Sequence, residues 1–208
     1  MKRIALIMSL ICLIITGCSN NNDLNNVVDE TKTINLANYE KVVYNNRELL
    51  SNWAYAKQDA LEKNTRAANI AESEYFDKLK VNLLPSALQF ASDLNITKED
   101  LESMIGVKIY NNEEYENTLV GLMLFVTTTD CSIIDDGSKT TRGRSFKDCF
   151  LEATGISAGA AIVGGLAKGT VSKAVVRATL RMVAKVGTRT LSGAGLALMA
   201  AEITWCMW

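Results

Sequence analysis

NYEKVVYNNRELLSNWAYAKQDAL, residues 38–61, decides the fold class. Val42, Val43, Leu49, Leu50, Trp53, Ala54, Ala60 and Leu61 fall near the three-and-four spacing of a helix face. From Ser19 to Leu84 the chain holds no Gly and no Pro, so no strong breaker interrupts it. The pattern predicts a long helix starting near Asn38, whose short polar side chain suits an N-cap. A second helix is expected from Thr65 through Ile70, Tyr75, Phe76 and Leu79 to Leu83. Lys63-Asn64-Thr65 is either a turn between the two or part of one continuous helix.

Pro85 suits the first turn of a third helix, with Leu84 before it pushed away from α geometry. Thr97-Lys98-Glu99-Asp100 reads as a capping start, with Asp where Glu or Gln is preferred, and its helix ends at Gly106. Asn112 caps a further helix through Leu119, Leu122, Leu124 and Phe125. Period-2 alternation is confined to a short strand expected at Val107 to Tyr110. The expected fold is all-α: an acidic helical body followed by a compact, Gly/Ala-rich three-helix C-terminal unit. The aromatics Trp53, Tyr55, Tyr75, Phe76 and Tyr115 read as core rather than as the lining of a ligand groove.

Charge divides the chain. From Ser19 to Gly137 there are 20 acidic and 10 basic residues; from Ser138 to Trp208 there are 3 acidic and 10 basic. Such asymmetry predicts two modules, or an acidic body cradling a basic element. The expected divisions are a targeting segment at 1–17, a polar spacer at 18–35, an acidic helical region at 36–131, a turn-rich loop at 132–146 and a basic helical region at 147–208.

Within the last region, Ala153, Ser157, Ala161, Gly165 and Gly169 recur every fourth position, as do Gly193, Ala197 and Ala201 further on. Faces so bare let helix backbones approach closely. Between them Lys173, Arg177, Arg181, Lys185 and Arg189 also recur every fourth residue, opposite Val175, Val176, Leu180, Met182, Val183 and Val186. This is an amphipathic, purely cationic helix. Its basic face has three uses open to it: water or the acidic half of the chain, anionic lipid, or nucleic acid. Export and a net negative charge argue against the last. Glu202, the lone acid of the last helix, is expected to pair with Arg189 or a neighbouring Lys, or to face water. Trp205 and Trp208 suit either a membrane interface or a core.

The chain has no histidine, which removes His triads, His metal sites and the commonest acid–base group. Gly164 to Thr170 lacks the GK[ST] order of a phosphate loop. Asp135-Asp136-Gly137-Ser138 lacks the ligand spacing of a calcium loop, and no cysteine pair has zinc spacing. No cofactor and no catalysis are expected. Cys131, Cys149 and Cys206 are the cysteines beyond residue 18. The favoured pairing is Cys149–Cys206, which brackets the C-terminal helices; Cys131–Cys149 is second.

Lys2 and Arg3 precede an apolar stretch, Ile4 to Ile15, interrupted only by Ser9 and followed by Thr16, Gly17 and Cys18. The stretch is short for a membrane span and apt for a secretory signal. Ile15-Thr16-Gly17-Cys18 in that position resembles the signal of a bacterial lipoprotein precursor. The resemblance implies cleavage before Cys18, diacylglycerol on its sulfur and acylation of the new amino group. Ser19 after the cysteine implies the outer membrane, if the host has one. Cys12 lies in the removed segment. The basic C-terminal region is loosely similar in composition to helical bacteriocins. Two roles follow as expectations: a lipid-anchored, non-catalytic binding or structural module of the cell envelope, or a membrane-active factor working through the cationic helices. The partners expected are the membrane, through the lipid, and anionic lipid or an envelope protein.

Overall fold

A computed structural model describes residues 32–62, 67–129, 146–154, 169–186 and 192–207. The fold is all-α. In chain order the elements are β1 (Thr33–Asn35), α1 (Ala37–Asn45), α2 (Arg47–Glu62), α3 (Ala67–Asp93), α4 (Lys98–Ile105), α5 (Asn112–Thr129), α6 (Phe146–Thr154), β2 (Thr170–Ser172), α7 (Lys173–Val186) and α8 (Gly193–Met207). The expected targeting segment, Cys18, Cys131, Ser157, Ala161, Gly165, Arg189 and Trp208 lie outside the described residues.

Two helices are apolar around their whole circumference, and such helices are driven inside. In α5 every residue from Thr118 to Thr127 is buried. In α8 the buried set includes Leu196 to Ala201, Ile203, Thr204, Cys206 and Met207. They pack chiefly on each other. Around the pair lie α2 and α6 on α8, and α1 and α3 on α5. Each fully buried Leu, such as Leu119 or Leu196, adds about 1.5–3 kcal/mol. Buried threonines do not offset this, because their hydroxyls donate to carbonyls one turn back: Thr127 to Met123 at 2.7 Å, Thr129 to Phe125 at 2.8 Å and Thr204 to Ala200 at 2.8 Å.

The α5–α8 crossing is set by two glycines. A β-carbon on Gly193 would overlap the backbone of Asn117 and Thr118, and one on Gly121 would overlap the backbone of Gly193. The bare face read along Gly193, Ala197 and Ala201 is therefore a contact inside the protein core. The last helix joins the C-terminal end of the chain to the acidic half, since α8 packs on α5 and α2 as well as on α6. The boundary in charge is thus bridged by the core.

Several local expectations are corrected. Asn46 divides the long first helix: it follows α1 with φ −104° and ψ 9°, and its amide donates to the Val42 carbonyl at 2.9 Å. Helix α1 starts one residue before Asn38, and Asn35 Oδ1 accepts the Ala37 N–H at 2.8 Å. Pro85 does not open a helix but sits inside α3. It is exposed, and Val81, whose carbonyl loses its partner there, is 78% exposed, so water can satisfy that oxygen. Val107 to Tyr110 forms no strand. The strands are instead Thr33–Asn35, inside the expected spacer, and Thr170–Ser172. They pair antiparallel with Ile34 opposite Val171.

The capping reading at Thr97 holds in full. Thr97 Oγ1 accepts the Asp100 N–H at 3.2 Å, Asp100 Oδ2 accepts the Thr97 N–H at 2.9 Å, and Gly106 ends α4 with φ +73°. The cap of α5 is Asn111, one residue before the Asn112 expected, with its Oδ1 accepting the Glu114 N–H at 2.8 Å.

Candidate functional site

Helix α7 carries the cationic face, and its apolar side faces inward: Val176, Leu180 and Val183 are buried. It lies against α4 and follows β2 directly. Lys173, the first residue of α7, is 8% exposed although charged. Its ammonium sits 2.6 Å from Asp100 Oδ2 and donates to the Asn95 carbonyl at 2.8 Å. Arg177 Nη2 lies 3.4 Å from Asp100 Oδ1. One carboxylate therefore caps α4 and receives two cations of α7. Burial pushes the Asp100 carboxyl up, but the Lys173 hydrogen bond and the Thr97 N–H outweigh it and hold the group below the usual carboxylate range.

The five cations of the series thus part company. Lys173 and Arg177 turn to the acidic half of the chain, and Arg181 is exposed. The side chain of Lys185 and all of Arg189 lie outside the described residues. Gly169, the last of the small-residue series, is in no helix: it has φ +64°, and its carbonyl accepts the Leu36 N–H at 2.9 Å beside the strand pair.

Cys149 and Cys206 are joined as a disulfide with their α-carbons 5.6 Å apart, tying α6 to the last turn of α8. A tilted ring pair supports the same junction, Phe150 lying 6.3 Å from Phe125 between centroids. Beside the disulfide is a recess of about 260 Å³ lined by Ala54, Lys57, Glu152, Glu202, Trp205 and Cys206. Glu202 pairs there with Lys57 of α2 at 3.4 Å, while Arg189, the other partner considered from the sequence, lies outside the described residues. A second, more apolar recess of about 440 Å³ lies where Ile105, Ile109 and Tyr110 approach Thr118 and Ala194.

The aromatics are core, as read: Trp53 and Phe76 are buried with centroids 6.1 Å apart, and Tyr75 and Tyr115 pack against the same cluster. Tyr55 is the exception and faces solvent. Among the described residues no three Cys, Asp or Glu side chains converge on a metal position, and no helix is long and apolar enough to cross a membrane. Two important partners went unmarked in the sequence. Asp100 was legible only as a cap, and Lys57 only as one charge among many. The single local signal was the Asp standing where a capping box prefers Glu.

No protein-family model matches the chain, and neither a curated protein nor a solved structure is significantly similar to it.

Proposed function

We propose that this protein is a lipid-anchored, non-catalytic binding or structural module of the cell envelope, tethered through Cys18. The observation that carries the reading is the run Ile15-Thr16-Gly17-Cys18 after a basic start and a short apolar stretch. Two or three acyl chains anchor a protein stably where one is marginal. The first described strand begins at Thr33, so 14 residues separate the anchor from the fold. Fully extended, they span at most about 50 Å. The outer membrane is the proposed site, if the host has one, since Ser19 follows the cysteine.

The inward use of Lys173 and Arg177 supports a binding or structural role over a membrane-active one. A helix with its apolar face packed in a core and its first two cations on Asp100 presents neither to lipid. An envelope protein is accordingly the partner favoured over anionic lipid. The test is metabolic labelling with radioactive palmitate in cells expressing the full chain. Label on the wild type and none on Cys18→Ala is expected. An unlabelled wild type, or a labelled variant, overturns the anchor.

A further inference from the structure

We propose that the Cys149–Cys206 disulfide is a reducible latch on α6, opened by a dithiol that enters through the neighbouring recess. The proposal concerns the folded body alone and does not depend on the anchor at Cys18.

The two sulfurs are not equivalent. Cys149 is fully buried, whereas Cys206, 3% exposed, forms part of the wall of the recess that also holds Lys57, Glu152, Glu202 and Trp205. Approach from the recess therefore meets Cys206. Glu202 and Cys206 stand four residues apart on α8, neighbours on one helix face. The Lys57 ammonium, held 3.4 Å from Glu202, lines the same recess as Cys206. Lys57 offsets the Glu202 and Glu152 carboxylates that share the recess, so an incoming thiolate meets less repulsion with it in place.

The exchange balances as follows. One thiolate of the dithiol attacks Cys206 Sγ, forming a mixed disulfide. The electron pair of the Cys149–Cys206 bond leaves on Cys149 Sγ, which takes a proton from water. The second thiolate of the reductant attacks its own sulfur in the mixed disulfide and releases Cys206 as a thiolate, which takes a proton from water. The dithiol is oxidised by two electrons to its disulfide, and two cysteine thiols are left on the protein.

What the latch holds is small. Helix α6 has nine residues, below the length at which an isolated helix persists. Its buried side chains among the described residues are Cys149, Phe150 and Ala153, while Asp148, Leu151 and Glu152 face outward. Its main described contacts are with α8, plus the Phe125 ring. Once the bond is cut, α6 separates and bares Phe125 and one flank of α8. The central helix itself stays, because α5 and α2 still enclose it.

The test is hydrogen exchange on the full chain with and without dithiothreitol, with alkylation of Cys149 and Cys206 mapped by mass. On reduction, the amides of α6 are expected to lose at least about tenfold in protection, while those of α5 and α7 keep theirs. Lys57→Gln is expected to slow reduction by about threefold or more, and Lys57→Arg to restore it. Unchanged α6 protection after complete reduction overturns the latch. So does loss of protection throughout the chain, or reduction no faster than global unfolding and indifferent to Lys57→Gln; each marks a purely structural staple.

Discussion

Helices α7 and α8 are neighbours in sequence and opposites in how they are held. Helix α8 is apolar on all sides and lies in the middle of the molecule, fixed by backbone contact through Gly121 and Gly193. Helix α7 is amphipathic and peripheral, fixed by three buried aliphatic residues and by Lys173 and Arg177 on Asp100. The first mode tolerates no added atom; the second tolerates no lost charge. Small residues and basic residues both recur every fourth position in this region, and the fold uses the two periodicities for different contacts.

That contrast breaks most severely at Gly193. Gly193→Ala places a methyl group against the backbone of Asn117, which cannot swing aside as a side chain could. A loss of about 3 kcal/mol is expected, at the upper end of overpacking costs, read as the urea midpoint shift. A loss under about 1 kcal/mol would mean the helices separate easily and the close crossing is not what locates α8. Asp100→Ala comes next. It leaves the nearly buried Lys173 ammonium with one carbonyl for company and removes one half of the capping box of α4, for about 2–3 kcal/mol. Lys173→Met should cost less, because Asp100 keeps Arg177 and the Thr97 N–H, and the difference between the two variants measures the stranded charge.

Acid sharpens the same comparison. The Asp100 carboxyl lies below its ordinary value in the folded chain, so the unfolded chain binds the proton more readily. The stability it contributes is present above about pH 4, near the unfolded value, and is lost as pH falls through the folded one. Asp93 behaves alike, pulled down by the Tyr39 hydroxyl that donates to it at 2.5 Å and by Gln89. Asp100→Asn should therefore flatten the acid limb of a stability-against-pH curve, while Gly193→Ala should lower the whole curve without changing its slope. The smallest effect belongs to Arg181→Glu. The side chain is exposed, so a change within about 0.5 kcal/mol is expected in thermal melts. A larger loss would show that the outer cations of α7 matter to the fold as the first two do.

Apart from the cysteine pair, the residues that were legible from sequence are those whose partners lie nearby in the chain. Thr97, Asp100 and Gly106 frame α4 through bonds three or four residues long, and their order alone reveals them. Cys149–Cys206 was legible because cysteine pairing is a problem with few solutions. Pro85 misled because its effect depends on exposure: on the solvent side of α3 the freed carbonyl of Val81 meets water, a fact no local pattern records. The strand pair was missed because three residues are too few for an alternation to stand out, and the two partners lie far apart in the chain. Gly121 lies in an apolar run with no local mark, and only its distant neighbour Gly193 gives it a purpose. The cationic periodicity was visible at once, but its destination was not, since Asp100 already had a sufficient local explanation.

The strand pair has a mechanical consequence. Thr33 to Asn35 is the first ordered element after residue 32, and it is laced to Thr170 to Ser172, with the Leu36–Gly169 bond continuing the seam. A pull applied at Lys32 is therefore borne first by the strand that leads into α7, and only afterwards by α1 and the core. Peeling the paired residues apart would unload the start of α7, leaving Lys173 and Arg177 on Asp100 to hold it to α4. Tension at the amino-terminal side is thereby wired to the cationic helix, and the apolar centre of the molecule lies off the line of force.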